Sequence, residues 1–332
     1  MAEVLIHTPA GLYCPAGDFH IDPLRPVARA VITHGHSDHA RIGMGRYLAT
    51  PLTLPVLRHR LGDIRAEAMD YGQTRRIGGA EVSFHPAGHV PGSAQVRVSV
   101  AGEVWVVSGD YKIVPDGLST PFEPVACHTF ISECTFGLPV FRWPAPDALA
   151  TDINRWWAGN MAGGRFSIIG AYSLGKAQRV LSTLDRSIGP VLTHGAVEEM
   201  NNALRAGGLA LPETIRVTPE TDLSRLTGAL VIAPPQAVSD LWARRFGDAA
   251  SAVASGWMAV RGIRRRRGTD RGFVMSDHAD WDGLNAAIRA TGAERVFVTH
   301  GYTDAFCRWL TEQGHDARIL GEDFARGSED GE

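Results

Sequence analysis

The sequence contains little cysteine. Only four cysteines occur among 332 residues, and no two of them form a Cys-x-x-Cys pair. This scatter fits neither a disulfide framework nor a zinc site built from thiolates. Reduced thiols are therefore expected at Cys14, Cys127, Cys134 and Cys307.

Long apolar runs are also lacking. No stretch approaches the roughly 18 uninterrupted apolar residues of a membrane span, and the N-terminal residues have neither a basic start nor a long apolar segment. We therefore expect a soluble, cytoplasmic protein with no membrane partner.

A marked charge bias is absent as well. Lysine and arginine total 33 against 36 acidic residues, for a net charge of -3. A polyanionic partner would thus have to be met by a local basic patch rather than by general attraction. One such patch is present, since Arg264, Arg265, Arg266 and Arg267 are consecutive. Taken alone, this run is either a solvated loop or a phosphate-binding surface.

What the chain does contain is typical of a compact α/β protein of one large or two intimate domains. The first 130 residues favour short strands and turns, with a hairpin predicted around Ala101-Gly102. From about Pro144, strands and helices alternate, which predicts parallel strands with crossover helices. The predicted elements include strands at 31–33, 95–100, 103–107, 166–170, 191–193, 230–233, 273–276 and 296–299, and helices near 176–184, 197–205, 281–290 and 304–312.

Histidine is the informative residue type, and it clusters directly after the predicted strand at 31–33. The run His34-Gly35-His36-Ser37-Asp38-His39 holds three imidazoles and a carboxylate. Residues two apart in an extended segment point the same way, so His34 and His36 can converge on one cation. Asp38 and His39 can then face a second cation. These donors suit zinc, or manganese as a harder substitute.

A dinuclear site needs more ligands than one loop supplies. Three further candidates follow apolar runs and adjoin glycine: His89, Asp110 and His300. Each alone is better explained as a turn or capping residue than as a metal ligand. Together with the histidine loop they make up a ligand set.

The succession HxHxDH, His, Asp and a late His resembles the metallo-β-lactamase superfamily. The resemblance implies an αββα sandwich that holds two divalent metal ions. His34, His36 and His89 would bind one ion. Asp38, His39 and His300 would bind the other, with Asp110 bridging them. Asp22 falls where the family has an early aspartate that orients the metal loop.

Further motifs are similar to those of the β-CASP nucleases within this superfamily. Glu133 in Ser132-Glu133-Cys134 resembles their motif A, His278 in Ser276-Asp277-His278 their motif B, and His300 falls at motif C. The resemblance implies an inserted, Rossmann-like, parallel-sheet β-CASP domain. The predicted domains are 1–143 and 256–326 for the metallo-β-lactamase part, 144–255 for the insertion, and 327–332 for a tail.

Within the β-CASP family, the sequence most resembles bacterial DNA-ligase-associated exonucleases of the DNA damage response. The segments that carry this resemblance are 12–18, 171–179, 193–196 and 276–281. The resemblance implies a DNA exonuclease acting on single-stranded or end-processed DNA, with a DNA ligase and a helicase as partners.

Two alternatives stay open at this point. In the family's usual division, histidine at motif C is typical of RNA-processing members, and this chain has His300. A ribonuclease similar to those that process mRNA 3′ ends is therefore the second candidate. A metallo-hydrolase that is not a nuclease is the third, although it would need neither a cap of this length nor the arginine run.

For phosphodiester hydrolysis, the predicted catalytic residues are Asp38, His278 and Glu133. His278 would protonate the leaving oxygen while Glu133 holds its other nitrogen. Lys176 and Arg264 to Arg267 are predicted to bind the nucleic acid, although a helix start with an exposed lysine would equally explain Lys176. For His194 the sequence favours a structural role but leaves a place at the cleft open. The polarity of attack and the choice between exonuclease and endonuclease action are not determined by these residues.

Overall fold

A computed structural model describes residues 3–262 and 268–321, which form two compact units. The first unit draws on residues 3–115, 119–139 and 278–321, and the second on Asp116–Leu118 and Val140–Asp277. The predicted insertion, 144–255, lies within the second unit. Its role as a β-CASP domain stays a prediction, and Arg264 to Arg267 lie outside the described residues.

The first unit contains two sheets. One has the order β1-β2-β3-β4-β5-β6. Pairing is antiparallel from β1 to β3 and parallel from β3 to β6. Its strands are β1 (Ile6–Thr8), β2 (Gly11–Cys14), β3 (Phe19–Ile21), β4 (Ala30–Val31), β5 (Tyr47–Ala49) and β6 (Ala66–Ala68).

The other sheet of this unit has the order β19-β18-β11-β10-β9-β8-β7. Its β7 to β10 half is antiparallel, and the half from β10 through β11 and β18 to β19 is parallel. Its strands are β7 (Thr74–Ile77), β8 (Ala80–Pro86), β9 (Ala94–Val100), β10 (Glu103–Val107), β11 (Thr129–Cys134), β18 (Arg295–Gly301) and β19 (Asp316–Ile319).

Side chains on opposite faces of the β7–β19 sheet pack into two different cores, one of which this sheet shares with the β1–β6 sheet. In β10, Trp105 and Val107 pack into a core shared with Ile21 and Val31 of the other sheet. Val106 faces the opposite way, into a core that includes Leu284. Because successive side chains of a strand point to opposite faces, one short strand serves two cores.

Helices cover the outer faces of both sheets. Helix α1 (Thr53–Leu61) packs on the β1–β6 sheet through Leu54 and Leu57. Helices α6 (Trp281–Thr291) and α7 (Thr303–Glu312) pack on the other sheet. The described part of the first unit therefore has a helix, sheet, sheet, helix layering.

The second unit is built on one parallel sheet with the order β14-β13-β15-β12-β16-β17. Every pairing in it is parallel. Its strands are β12 (Ser167–Gly170), β13 (Val191–Thr193), β14 (Ile215–Arg216), β15 (Leu230–Ala233), β16 (Ala250–Ala254) and β17 (Arg271–Phe273).

Both faces of this parallel sheet are covered. Ile169 packs with Trp157 and Val180 of two helices, whereas its neighbour Ile168 packs on the other face with Phe246. The helices of this unit are α2 (Pro146–Ala162), α3 (Lys176–Thr183), α4 (Gly195–Ala206) and α5 (Pro235–Val238), with 3₁₀ turns at Leu223–Leu226, Leu241–Phe246 and Gly256–Ala259. In the described residues no helix is both long and apolar enough to cross a bilayer.

These elements confirm the predicted mixed α/β class, the β-rich start and the parallel strands with crossover helices. The hairpin at Ala101-Gly102 is also confirmed, since β9 and β10 pair across it. The strand at 273–276 was placed wrongly, because β17 ends at Phe273. Beyond Phe273 the chain no longer pairs with β16, and the carbonyl of Ser276 accepts a hydrogen bond from Arg179. Helix α2 was not predicted.

Candidate metal centre

The histidine loop is held in place by Asp22, in the turn after β3. The backbone amide of Thr33 donates to Asp22 Oδ1 over 2.8 Å, and the Thr33 hydroxyl donates to Oδ2. Strand β4 ends at Val31, earlier than predicted, and the Thr33 amide bonds to Asp22 rather than to a neighbouring strand. From helix α1, Arg60 donates to the carbonyl of Gly35 over 2.6 Å. The start of the loop is therefore fixed by contacts with two neighbouring elements.

The first group of candidate ligands consists of His34, His36, His89 and Asp110. One donor atom from each lies within 4.8 Å of the others. Nδ1 of His36 lies 3.1 Å from Nε2 of both His34 and His89. His34 and His89 are buried. Burial holds the pKa of each well below its usual value, which favours the neutral imidazole that coordinates a metal.

A second group is formed by His39, Asp110 and His300, again within 4.8 Å. The imidazoles of His39 and His300 face each other with their centroids 5.4 Å apart. Burial works to lower the pKa of His39, but the nearby Asp110 and Asp22 outweigh it and hold that pKa well above its usual value.

Asp110 belongs to both groups. Its Oδ2 lies 3.4 Å from His34 Nε2 and 3.6 Å from His89 Nε2, whereas its Oδ1 lies 3.5 Å from His39 Nε2. Gly109, with a φ of 56°, allows this approach, because a Cβ there would stand 2.7 Å from Thr33 Cβ. One carboxylate therefore presents a separate oxygen to each group.

A donor atom that lacks a hydrogen-bond partner indicates whether these residues fit a metal ion. Nε2 of His39 is fully buried and has no hydrogen-bond partner among the described residues. Its Nδ1 lies 2.8 Å from Asp22 Oδ2, which fixes the ring so that Nε2 points toward Asp110. Buried polar atoms without a partner are rare in proteins. A cation bound between His39 and Asp110 would satisfy this atom, so the residues present fit a metal ion.

Asp38 is the predicted ligand that falls outside both groups. Its side chain is 61% exposed, and its Oδ2 lies 3.7 Å from His39 Nε2. The structure therefore places Asp38 next to the second group without bringing its carboxylate among the donor atoms. Its roles as a ligand and as a catalytic residue stay predictions.

Glu133 and His278 are brought together although 145 residues separate them. Nδ1 of His278 lies 2.9 Å from both carboxylate oxygens of Glu133. Glu133 is buried and also accepts hydrogen bonds from the Tyr111 amide and the Thr135 hydroxyl. The His278 ring lies 4.7 Å from that of His89, so the pair adjoins the first ligand group.

Lys176, at the N-terminus of α3 in the second unit, is not an exposed cation. Its Nζ lies 3.1 Å from Asp277 Oδ2, and both side chains are more than nine-tenths buried. Arg179 Nη1 stands 4.0 Å from Asp277 Oδ1. Sequence reasoning missed this ion pair, although Asp277 stands in the motif next to His278. The phosphate-binding role of Lys176 stays a prediction.

Other residues considered from the sequence have structural contacts. His194 caps α4, because its Nδ1 accepts the backbone N–H of Ala196 over 3.1 Å, and its ring packs on Trp242. Trp157 is fully buried, and Trp156 packs at the edge of the same core. These contacts account for His194 and for the paired tryptophans without a ligand.

No protein-family model matches the chain. It is 32% identical over 317 residues, 94% of its length, to a probable DNA ligase of Opitutus terrae, of which the match covers 31%. It is 31% identical to endoribonuclease YSH1 of Gibberella zeae, over 43% of this chain and 18% of that protein. The chain thus spans about a third or less of these relatives' lengths.

A further relative is RNase aCSPSF2 of Saccharolobus solfataricus, 29% identical over 35% of this chain and 24% of that protein. Among solved structures, a protein of unknown function from Enterococcus faecalis matches with a TM-score of 0.61 and 14% identity, covering 89% of this chain and 79% of that one. This match supports the fold alone.

Proposed function

We propose that the chain is a two-metal-dependent phosphodiesterase that acts as a DNA exonuclease. The observation that carries this proposal is Asp110, whose two oxygens face two separate groups of imidazoles. Pairs of divalent ions a few ångströms apart are typical of enzymes that hydrolyse phosphodiesters. The layers of the first unit and the covered parallel sheet of the second are in keeping with an αββα sandwich and an inserted β-CASP domain.

The proposed ligands are His34, His36 and His89 for one ion and His39, His300 and Asp38 for the other, with Asp110 shared. Zinc is the first expectation and manganese the second. When bound, the ions would supply Lewis acidity and neutralise phosphate charge.

His278 would act on the leaving group. Glu133 accepts the hydrogen bond from Nδ1, so Nε2 is the nitrogen left to carry a proton to the departing oxygen. The Glu133 carboxylate would orient the imidazole, and its hydrogen bonds from the Tyr111 amide and the Thr135 hydroxyl hold it in place. This pair supplies the proton that the ions do not.

A DNA substrate is favoured by the relative named a probable DNA ligase, because almost the whole of this chain matches one segment of it. A segment of this kind within a longer ligase is in keeping with a nuclease that prepares ends for joining. A DNA ligase, and with it a helicase, are therefore the proposed partners.

A ribonuclease is the second candidate. The relatives named endoribonuclease and RNase match about two-fifths of the chain or less, and His300 is of the RNA-processing type at motif C. The deciding experiment uses single-stranded DNA and RNA of one sequence, labelled at either end and incubated with zinc or manganese.

We expect stepwise shortening of the DNA from one end and slower cleavage of the RNA, with both activities lost in Asp110→Ala. Faster cleavage of RNA would replace the proposal with the second candidate. No cleavage of either polymer would overturn both.

A further inference from the structure

A small cavity adjoins the second ligand group of the first unit. Its volume is about 140 Å³, and its walls join His39 and His300 on one side to aliphatic side chains on the other. The aliphatic walls include Leu12, Leu24 and Leu320, which come from strand β2, the turn after β3 and the chain after β19. The lining also includes the polar residues His7, Asp22 and Asp38. The cavity therefore combines aliphatic walls with a few polar groups, some of which belong to the candidate metal centre.

The apolar walls serve no evident purpose for metal binding. Leu12 and Leu320 pack against the shared core of the two sheets yet keep a face toward the cavity. Leu24 is 44% exposed, and no described core cluster contains it. Concave sites that combine apolar walls with a few convergent polar groups are the usual form of small-ligand sites. The walls thus point to an apolar group held beside the reacting centre.

The size of the cavity restricts what that group is. A cavity of roughly 150 Å³ lined by aliphatic side chains holds one benzene ring, so this one accepts a single ring system rather than a stack. A phosphate or sugar hydroxyl would lose its hydration against leucine side chains without a hydrogen bond in return. A nucleobase, by contrast, has apolar faces that pack against aromatic or other apolar side chains.

We propose that this cavity holds the base of the nucleotide attached to the scissile phosphate. The inference rests on the proposed nuclease function, because it is the phosphate beside His39 and His300 that brings one base to the cavity mouth. Such a site would position the nucleotide at the cleaved bond. It would accept any of the four bases, because apolar contacts require no particular hydrogen bonds.

The backbone at the rim supports a role for this cavity in binding. Asp22 and His300 both line it, and their φ angles are 44° and 53°, in the left-handed region that side chains other than glycine rarely adopt. Strain of this kind concentrates at binding and catalytic sites.

Cleavage of abasic substrates tests the proposal. Single-stranded DNA would carry either a normal nucleotide or an abasic tetrahydrofuran residue at its 5′ or 3′ end, so that both polarities are covered. At the end that is attacked, we expect kcat/KM to be about tenfold or more lower for the abasic substrate. Equal kcat/KM values for the two substrates would overturn the proposal.

Variants then locate the effect. Leu24→Trp should fill the cavity, lower kcat/KM for the normal substrate and bring its ratio to the abasic substrate close to one. Leu24→Ala removes contact area without adding bulk. It should also lower the ratio of kcat/KM for the normal substrate to kcat/KM for the abasic substrate. Ile215→Trp is the matched control, since Ile215 is 40% exposed and lies on edge strand β14 of the second unit. It should keep the wild-type ratio.

An equilibrium measurement separates this proposal from the nuclease proposal. The fluorescent nucleoside of 2-aminopurine, which has no phosphate, would be titrated into metal-free protein. We expect saturable binding to the wild type and to Ile215→Trp, and loss of binding in Leu24→Trp. Binding that Leu24→Trp leaves unchanged would overturn the cavity proposal even if DNA is cleaved. Absence of all cleavage with this binding retained would overturn only the nuclease function.

Discussion

Asp22 Oδ2 lies 2.8 Å from Nδ1 of His39, and the same carboxylate accepts hydrogen bonds from both the amide and the hydroxyl of Thr33. One side chain therefore fixes the start of the histidine loop and the ring at its end. These contacts are in keeping with the orienting role predicted for Asp22, which stays a prediction. In metal sites, such carboxylate partners of a coordinating histidine fix the tautomer and raise the basicity of the ligand.

Asp22→Asn should weaken metal binding about 10- to 100-fold, because the amide cannot stabilise the bond from His39 Nδ1 as a carboxylate does. Titration with zinc against a competing chelator measures the effect. Asp18→Asn is the matched control. Asp18 also has a positive φ, of 50°, but pairs with Arg29 at the surface. An equal loss of affinity in both variants would contradict the orienting role.

The two ligand groups predict separable metal losses. His36→Ala should remove the ion held by the first group, His300→Ala the ion held by the second, and Asp110→Ala should weaken both. Metal content after gel filtration, measured by elemental analysis, gives the stoichiometry. His59→Ala, on the exposed face of α1, should retain the wild-type content. A His36→Ala protein that keeps both ions would contradict the assignment.

The pairing of His278 with Glu133 predicts a defect in chemistry rather than in metal binding. His278→Ala should lower kcat about 10² to 10⁴-fold, as for loss of a general acid, and leave the metal content unchanged. A substrate whose leaving oxygen is replaced by sulfur needs no protonation, so its cleavage should be nearly unaffected. Glu133→Gln should show a smaller loss of the same kind.

His85→Ala is the control for this prediction, because His85 forms a histidine–glutamate pair with Glu123 outside the ligand groups. It should keep the wild-type kcat. If the sulfur substrate is cleaved as poorly as the normal one by His278→Ala, the imidazole does not act on the leaving group.

Much of the fold could be predicted because local pattern decides it. Strands β10, β13 and β15 begin and end where the apolar runs predict, since each is a short segment with β-branched residues that is followed by a polar residue or proline. Helix α2 was missed although Leu149, Ile153 and Trp157 recur every four residues and all face the core. The polar and small residues between these positions make the apolar face hard to recognise in the sequence.

The candidate site could be predicted as residue types but not as contacts. Asp110 and the histidines stand at strand ends, which the sequence shows. The distance between Lys176 and Asp277 depends on how strands β12 and β17 lie in one sheet, which no local pattern encodes. Asp38 is a second example. Its place in the motif predicts a metal ligand, but the motif does not predict that its side chain is 61% exposed.

The buried pair of Lys176 and Asp277 predicts a loss of stability. Lys176→Met should cost about 3 kcal/mol of the free energy of unfolding, since it removes the ammonium that lies 3.1 Å from a buried carboxylate. Urea unfolding measures this loss. Arg165→Met breaks an exposed pair with Asp248 and should cost less than about 1 kcal/mol. Equal losses would contradict the importance of burial.

The same variant tests the phosphate-binding role that the sequence predicted for Lys176. A cation that contacts phosphate contributes about one unit to the slope of log affinity against log salt concentration. A slope that stays at the wild-type value for Lys176→Met would contradict that role and would indicate that the ammonium serves only the pair with Asp277. A slope reduced by about one unit would show that Lys176 also contacts the nucleic acid.

Glu198 predicts how stability depends on pH. Burial alone would raise the pKa of Glu198, but hydrogen bonds from Thr214 and Thr193 and the pairing with Arg205 hold that pKa below its usual value. A carboxyl group whose pKa is depressed by folding stabilises the protein above its unfolded pKa, about 4.3. That contribution is lost as the pH falls through the lower, folded pKa.

Glu198→Gln should therefore destabilise the protein by about 1 to 3 kcal/mol at pH 7, because it weakens charge-assisted hydrogen bonds to a buried group. The difference from wild type should shrink steadily below about pH 4, where the wild-type carboxylate becomes protonated. Urea unfolding between pH 3.5 and pH 7 measures both values. Glu199→Gln, which loses only a surface pair with Arg216, should show little difference at any pH. A destabilisation by Glu198→Gln that did not change with pH would indicate that shape, rather than charge, is what this position requires.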